Sequence, residues 1–89
     1  MKYVLFYEAA PDAATTAPAN VPAHQELLGE FHGRGVLLMV GPFTDLARRG
    51  AMAIFTTPEA AAEFVDRDPF VAHGVVVGHE VCEWNEVLA

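Results

Sequence analysis

The sequence predicts a single α+β domain with the element order β-α-β-β-α-β. Two observations carry this. Four stretches are rich in branched and aromatic residues, at residues 2–8, 36–43, 51–57 and 75–84. Two other stretches, 21–34 and 57–66, space their apolar residues as a helix does. The 89 residues fit one domain, 1–89, with no internal repeat beyond the pseudo-symmetry of its halves.

The first strand is "KYVLFYE", alternating Tyr3, Leu5 and Tyr7 with Val4 and Phe6. The small, polar run "AAPDAATTAPAN" that follows carries two prolines and reads as a loop of about a dozen residues, the length of a functional lid. The helix over 21–34 opens with Pro22 in its first turn, where no backbone N–H is needed. His24, Leu27, Leu28 and Phe31 fall at i, i+3, i+4 and i+7 and form its inward stripe. Gly33 and Gly35 mark its stop. "VLLMVGPF" is a strand ended by Gly-Pro, and "DLARRG" turns the chain into the strand "AMAIFTT". Thr57 and Pro58 open the second helix as N-cap and first-turn proline, with Ala61, Phe64 and Val65 facing inward. "DPF" interrupts it at Asp68–Phe70, and "VVVGHEVCEW" is the last strand.

This order is that of the split β-α-β, ferredoxin-like pattern, in which both helices cover one face of the sheet. The other face, if exposed, should alternate with polar residues. Instead the strands are apolar on both sides, with Val75, Val77 and Val81 set against Val76, Cys82 and Trp84 in the last one. Such a face predicts a homodimer with its sheets stacked.

Composition removes several classes of function. Hydrophobic residues make up 53 % and charged residues 19 %, with a formal net charge of −7 and only 5 Lys plus Arg. No basic footprint exists for nucleic acid or an anionic membrane. No apolar run reaches the length of a membrane span, and the first residues show no secretory leader, so a cytoplasmic protein is expected. The lone Cys82 fits a reducing compartment. Serine is absent, which removes every Ser-based nucleophile.

His24 and Asp68 are the residues that can carry chemistry. His24 is an ionisable group on an inward stripe. At a helix start it would favour the neutral imidazole, a form able to act as general base. It can equally be a core histidine satisfied by one hydrogen bond. Asp68 precedes Pro69, which pushes it out of helical geometry and makes it a cap for the next turn. One carboxylate oxygen can cap while the other orients an imidazole. Pattern alone leaves open whether the helices run so as to bring the two together. Tyr3, Tyr7 and Phe70 are candidates to line an apolar pocket, with core packing as the plain alternative, and Pro42 to shape its wall. His32, His73 and His79 form no metal-ligand pattern, so neither metal nor cofactor is expected. Cys82, mid-strand beside Glu83, reads as a small apolar residue rather than a nucleophile.

"PAH" (Pro22 to His24), "GVLLMVGP" (Gly35 to Pro42) and "DPFVAHGVV" (Asp68 to Val76) resemble, in order and spacing, the YciI-like or YCII-related family across nearly the whole chain. The resemblance implies a ferredoxin-like α+β fold, a dimer, and a cleft whose His-Asp pair, His24 and Asp68 by position, is proposed as an active site. The family includes a dehydrochlorinase acting on a hydroxylated aromatic ring, and most members have no assigned reaction. Where many relatives carry a basic residue before Pro-Ala-His, this chain has Val21.

The function expected is therefore a cofactor-free small-molecule enzyme, a lyase or isomerase moving a proton through His24 and Asp68, with Tyr7, Pro42 and Phe70 at the substrate. The alternative is a non-catalytic dimeric module that binds a small ligand or assists a partner enzyme. A cofactor-free oxygenase on the same fold is a third reading.

Overall fold

The computed structural model describes residues 1–89. Its elements are β1 (Lys2–Ala9), α1 (Ala13–Gly33), β2 (Leu37–Pro42), β3 (Ala51–Phe55), α2 (Pro58–Arg67), α3 (Pro69–Ala72) and β4 (Val76–Trp84). The strands form one sheet in the order β2-β3-β1-β4, with every neighbouring pair antiparallel. The result is a small α+β fold with its helices on one face of a four-stranded sheet. Leu5, Tyr7, Leu37, Ala53, Phe55 and Val76 rise from the sheet into that layer. They meet Leu27 and Phe31 of α1 and Ala60, Ala61, Phe64 and Val65 of α2. The rings of Phe31, Phe55 and Phe64 pack edge-on or tilted, with centroids 5.3–6.5 Å apart.

The expected loop over 9–20 is mostly helix. α1 begins at Ala13, eight residues before the expected start at 21, and only Ala10–Asp12 remain as a connection. Pro18 and Pro22 therefore lie inside a helix of 21 residues, and His24 lies near its middle rather than in its first turn. A helix N-terminus therefore does not bias His24 toward the neutral imidazole. Alanine supplies the reason for the helix: the segment alternates the best helix former with its two prolines. Each proline lacks the N–H that would bond the carbonyl four residues back. Those carbonyls belong to Ala14 and Pro18, both exposed residues, where water can take the place of the missing donors. The chain leaves the helix after Gly33 and turns at Gly35, whose φ of +77° is a conformation that favours glycine.

Thr57 caps α2 as expected, its Oγ1 accepting the Ala60 N–H at 3.1 Å. The last strand departs from strict alternation. A bulge opposite Glu8 and Ala9 leaves Val77 unpaired. Val76 thereby joins the helix-side core, on the same face as Val81, and is separated from Cys82 and Trp84. On the open face lie Val4, Phe6, Met39, Met52, Ile54, Cys82 and Trp84, with Lys2, Glu8 and Glu80 among them. Met39 and Trp84 are exposed, and the Arg49 guanidinium sits 4.9 Å from the centre of the Phe6 ring. Cys82 is half-buried rather than buried. Its thiol donates to Glu80 Oε1 at 3.0 Å, and that carboxylate pushes its pKa up, away from a reactive thiolate.

The helices are tied on their outer side by four charges. Arg67 forks onto Glu30 with two bonds of 2.7 Å, and Arg34 forks onto Glu63 at 3.0 and 3.1 Å. Going along α1 from Glu30 to Arg34, the partners go backward along α2 from Arg67 to Glu63. The two helices therefore pack antiparallel.

Candidate active site

The antiparallel packing brings the middle of α1 over the end of α2. Asp68 stands between α2 and α3 with φ −73° and ψ 118°, the extended geometry that Pro69 imposes. That break turns its carboxylate inward, where it is fully buried. Three donors converge on it. The Phe70 backbone N–H donates to Oδ1 at 3.0 Å, which is the capping bond expected of Asp68. Tyr7 Oη donates to Oδ2 at 2.7 Å. His24 Nδ1 lies 2.8 Å from Oδ1.

This pattern sets the tautomer. A carboxylate only accepts, so the His24 nitrogen facing it is the protonated one, and Nε2 carries the lone pair. The ring is held from the sides as well. It stacks on Phe70 with centroids 3.8 Å apart and planes 6° from parallel, and it meets the edge of Phe64 at 6.3 Å. The His24 side chain keeps 15 % of its surface open, enough to be reached. Every buried side-chain nitrogen and oxygen has a hydrogen-bond partner.

Burial pushes the Tyr7 phenol far above its ordinary pKa, and its bond to Asp68 and that carboxylate's charge add to the rise. Tyr7 therefore stays a donor at any physiological pH. Tyr7, expected at the pocket wall, makes in addition this bond, which the strand pattern does not reveal. A buried tyrosine needs a partner for its hydroxyl, and that was the available signal.

His24 opens on a cleft of about 420 Å³ between α1 and the sheet. Tyr7, Pro42 and Phe70 line it; Tyr3 packs against the core and does not. Alanines of the first half of α1 form one wall, with Val21, and Val75 and Val76 are at another side. Gln25, Leu46 and Gly50 also line it and were not anticipated. Gly50 fits where no other residue does: a Cβ there would stand 2.7 Å from the Tyr7 carbonyl oxygen and 2.9 Å from the Ala9 nitrogen. His32, His73 and His79 are not among the cleft-lining residues, and no three His, Cys, Asp or Glu side chains cluster to hold a metal ion. No helix is long and apolar enough to cross a membrane.

No curated protein matches the sequence. Among solved structures, the fold is similar to that of 5-chloro-2-hydroxyhydroquinone dehydrochlorinase (TftG) from Burkholderia phenoliruptrix AC1100, determined in complex with 2,5-dihydroxybenzoquinone. The two superpose with a TM-score of 0.76 over 96 % of this chain and 94 % of that one, at 21 % identity, a level that establishes shared fold alone. The model of the YCII-related domain matches residues 1–85, and this chain belongs to that family.

Proposed function

We propose that the protein is a small-molecule enzyme that moves a proton through His24, in a lyase or isomerase reaction without a cofactor. The observation that carries the reading is the 2.8 Å bond between His24 Nδ1 and Asp68 Oδ1 at the edge of an apolar cleft. With its proton toward Asp68, His24 presents Nε2 as a base. As Nε2 takes a proton from an acidic C–H, the ring becomes cationic, and the buried carboxylate stabilises it. In an elimination the electron pair freed by that proton expels an anion from the neighbouring atom; in an isomerisation the proton returns elsewhere on the substrate. No activated nucleophile accompanies the pair, so a covalent hydrolytic route has no support. The similar fold of a dehydrochlorinase agrees with the elimination form. The working unit is a ferredoxin-like homodimer in the cytoplasm, with the open sheet face turned to a second copy.

The test is a panel led by 5-chloro-2-hydroxyhydroquinone and simple enolisable ketones, assayed for chloride release and for solvent deuterium uptake. Wild type is expected to exceed buffer, and His24→Ala to fall at least ~100-fold while keeping its circular dichroism. Equal rates for the two proteins, or no rate above buffer across the panel, overturns the reading.

The flat stack of His24 on Phe70 favours a second reading, a binding module in which the imidazole is a packed wall. There His24→Ala lowers thermal stability and costs no turnover.

A further inference from the structure

None of the five basic residues of the chain is among the residues that line the cleft. Lys2 pairs with Glu86 beside the N-terminus. Arg34 and Arg67 are engaged with Glu30 and Glu63 on the outer side of the helices. Arg49 covers Phe6 on the open face of the sheet, and Arg48 is exposed in the connection between β2 and β3. No Lys, Arg, Asp or Glu side chain lines the cleft, and most of its lining residues are hydrophobic.

The buried carboxylate of Asp68 stands behind the imidazole. It repels an anion, and the net charge of −7 works in the same direction at long range. It cannot meet a cation directly, because it is fully buried behind Tyr7, His24 and the Phe70 N–H. A charged ligand of either sign would lose its water in the cleft and find no counter-ion there. The Tyr7 hydroxyl is spent on Asp68. The functional side chains left for a ligand are therefore the His24 ring and the amide of Gln25.

We infer that the cleft selects an uncharged, mainly apolar small molecule with few hydrogen-bonding groups, and rejects carboxylates and ammonium ions. This rests on the proposal that the cleft is the substrate site, and it narrows the substrate class.

Three probes that share a ring and an acetyl group and differ in charge test it: 4-acetylbenzamide, 4-acetylbenzoate and 4-(aminomethyl)acetophenone. Binding is followed by the backbone amide shifts of Ala17, Gln25 and Val76. The benzamide is expected to bind and to move these signals, with each charged probe weaker by on the order of 100-fold. Ala17→Lys puts a cation on the cleft wall and is expected to raise affinity for the benzoate at least ~10-fold, with little change for the benzamide. Wild-type affinity for either charged probe equal to that for the benzamide overturns the inference. So does the failure of the benzamide to bind at millimolar concentration. The readout is binding without turnover, so intact charge selection in a protein that proves inert overturns the proton-transfer reading alone.

Discussion

Replacing Asp68 with Ala strands the donors of Tyr7, Phe70 and His24 inside the protein. Unfolding in denaturant is expected to show a loss of about 3 kcal/mol. Asp68→Asn is the gentler change and the more informative one. An amide turned with its NH2 toward His24 demands an acceptor, so the ring proton should move from Nδ1 to Nε2. Long-range proton–nitrogen spectra of the imidazole are expected to show Nδ1–H in the wild type and Nε2–H in this variant, with activity down on the order of 1000-fold. An unchanged tautomer would mean that Asp68 does not orient the ring. Tyr7 adds a pH dependence. The folded protein holds the phenol proton more tightly than the unfolded chain, whose phenol titrates near its ordinary value of 10.0. That stability is complete below pH about 10 and is lost as pH rises beyond it. Tyr7→Phe is expected to cost about 1 kcal/mol at neutral pH and to flatten the fall in stability above pH about 10.

At the scale of elements, the strands, the Thr57 cap and the inward face of α2 follow from local patterns that tertiary packing does not contradict. The first half of α1 did not, because two prolines and several small polar residues are the usual marks of a loop. Six alanines between residues 9 and 19 outweigh those marks once Leu27 and Phe31 anchor the same helix in the core. The site was legible only in its parts. Pro69 after Asp68 announces a break and a cap, but the contact between His24 and Asp68 spans 44 residues and depends on the antiparallel helix pair, which no local pattern states. The bulge at Val77 was hidden for a similar reason, since a run of three valines reads the same in either register. Pro18→Ala restores a backbone donor within α1 and is expected to raise stability by about 1 kcal/mol, less than the full helix-propensity difference because the unfolded chain also gains freedom. The strand β1 is pinned at its start to the tail: Lys2 and the N-terminal ammonium hold the Glu86 carboxyl down at about 2. This anchorage is present above the ordinary value of 4.5 and is lost as pH falls toward about 2. Once corrected for the intrinsic exchange rate, protection of the Glu86 amide should fall over that window while the centre of β1 stays protected.

For the whole molecule, the decisive feature is a sheet covered on one face only. Val4 and Ile54 at its centre are already buried by their neighbours, whereas Met39 and Trp84 at its edges are exposed. A second copy stacked on this face would cover those edges. Sedimentation is expected to give twice the 9.6 kDa chain mass at micromolar concentration. Met52→Lys, at the middle of that face and half-buried, is expected to shift the protein to monomer with its helices intact. A wild type that sediments as a single chain removes the dimer from the proposal.

Helix α1 is supported unevenly. Just before it, the Ala10 N–H is bonded to the Val75 carbonyl at 2.9 Å; from His24 onward it is fixed by Asp68, by the core and by the charged clasp. Between those supports its side chains make only local hydrogen bonds, Thr16 to Asp12 and Asn20 to Thr16, and they rest on the void of the cleft. It is a beam held at both ends and slack in its span, and the two prolines sit where it is slack. Deuterium should therefore reach the amides of Ala17, Ala19 and Val21 orders of magnitude sooner than those of Leu27 and Phe31 in the same helix. Filling the cleft should slow the first group and leave the second unchanged. The wall that gives way is then the entrance through which a molecule larger than the mouth can pass.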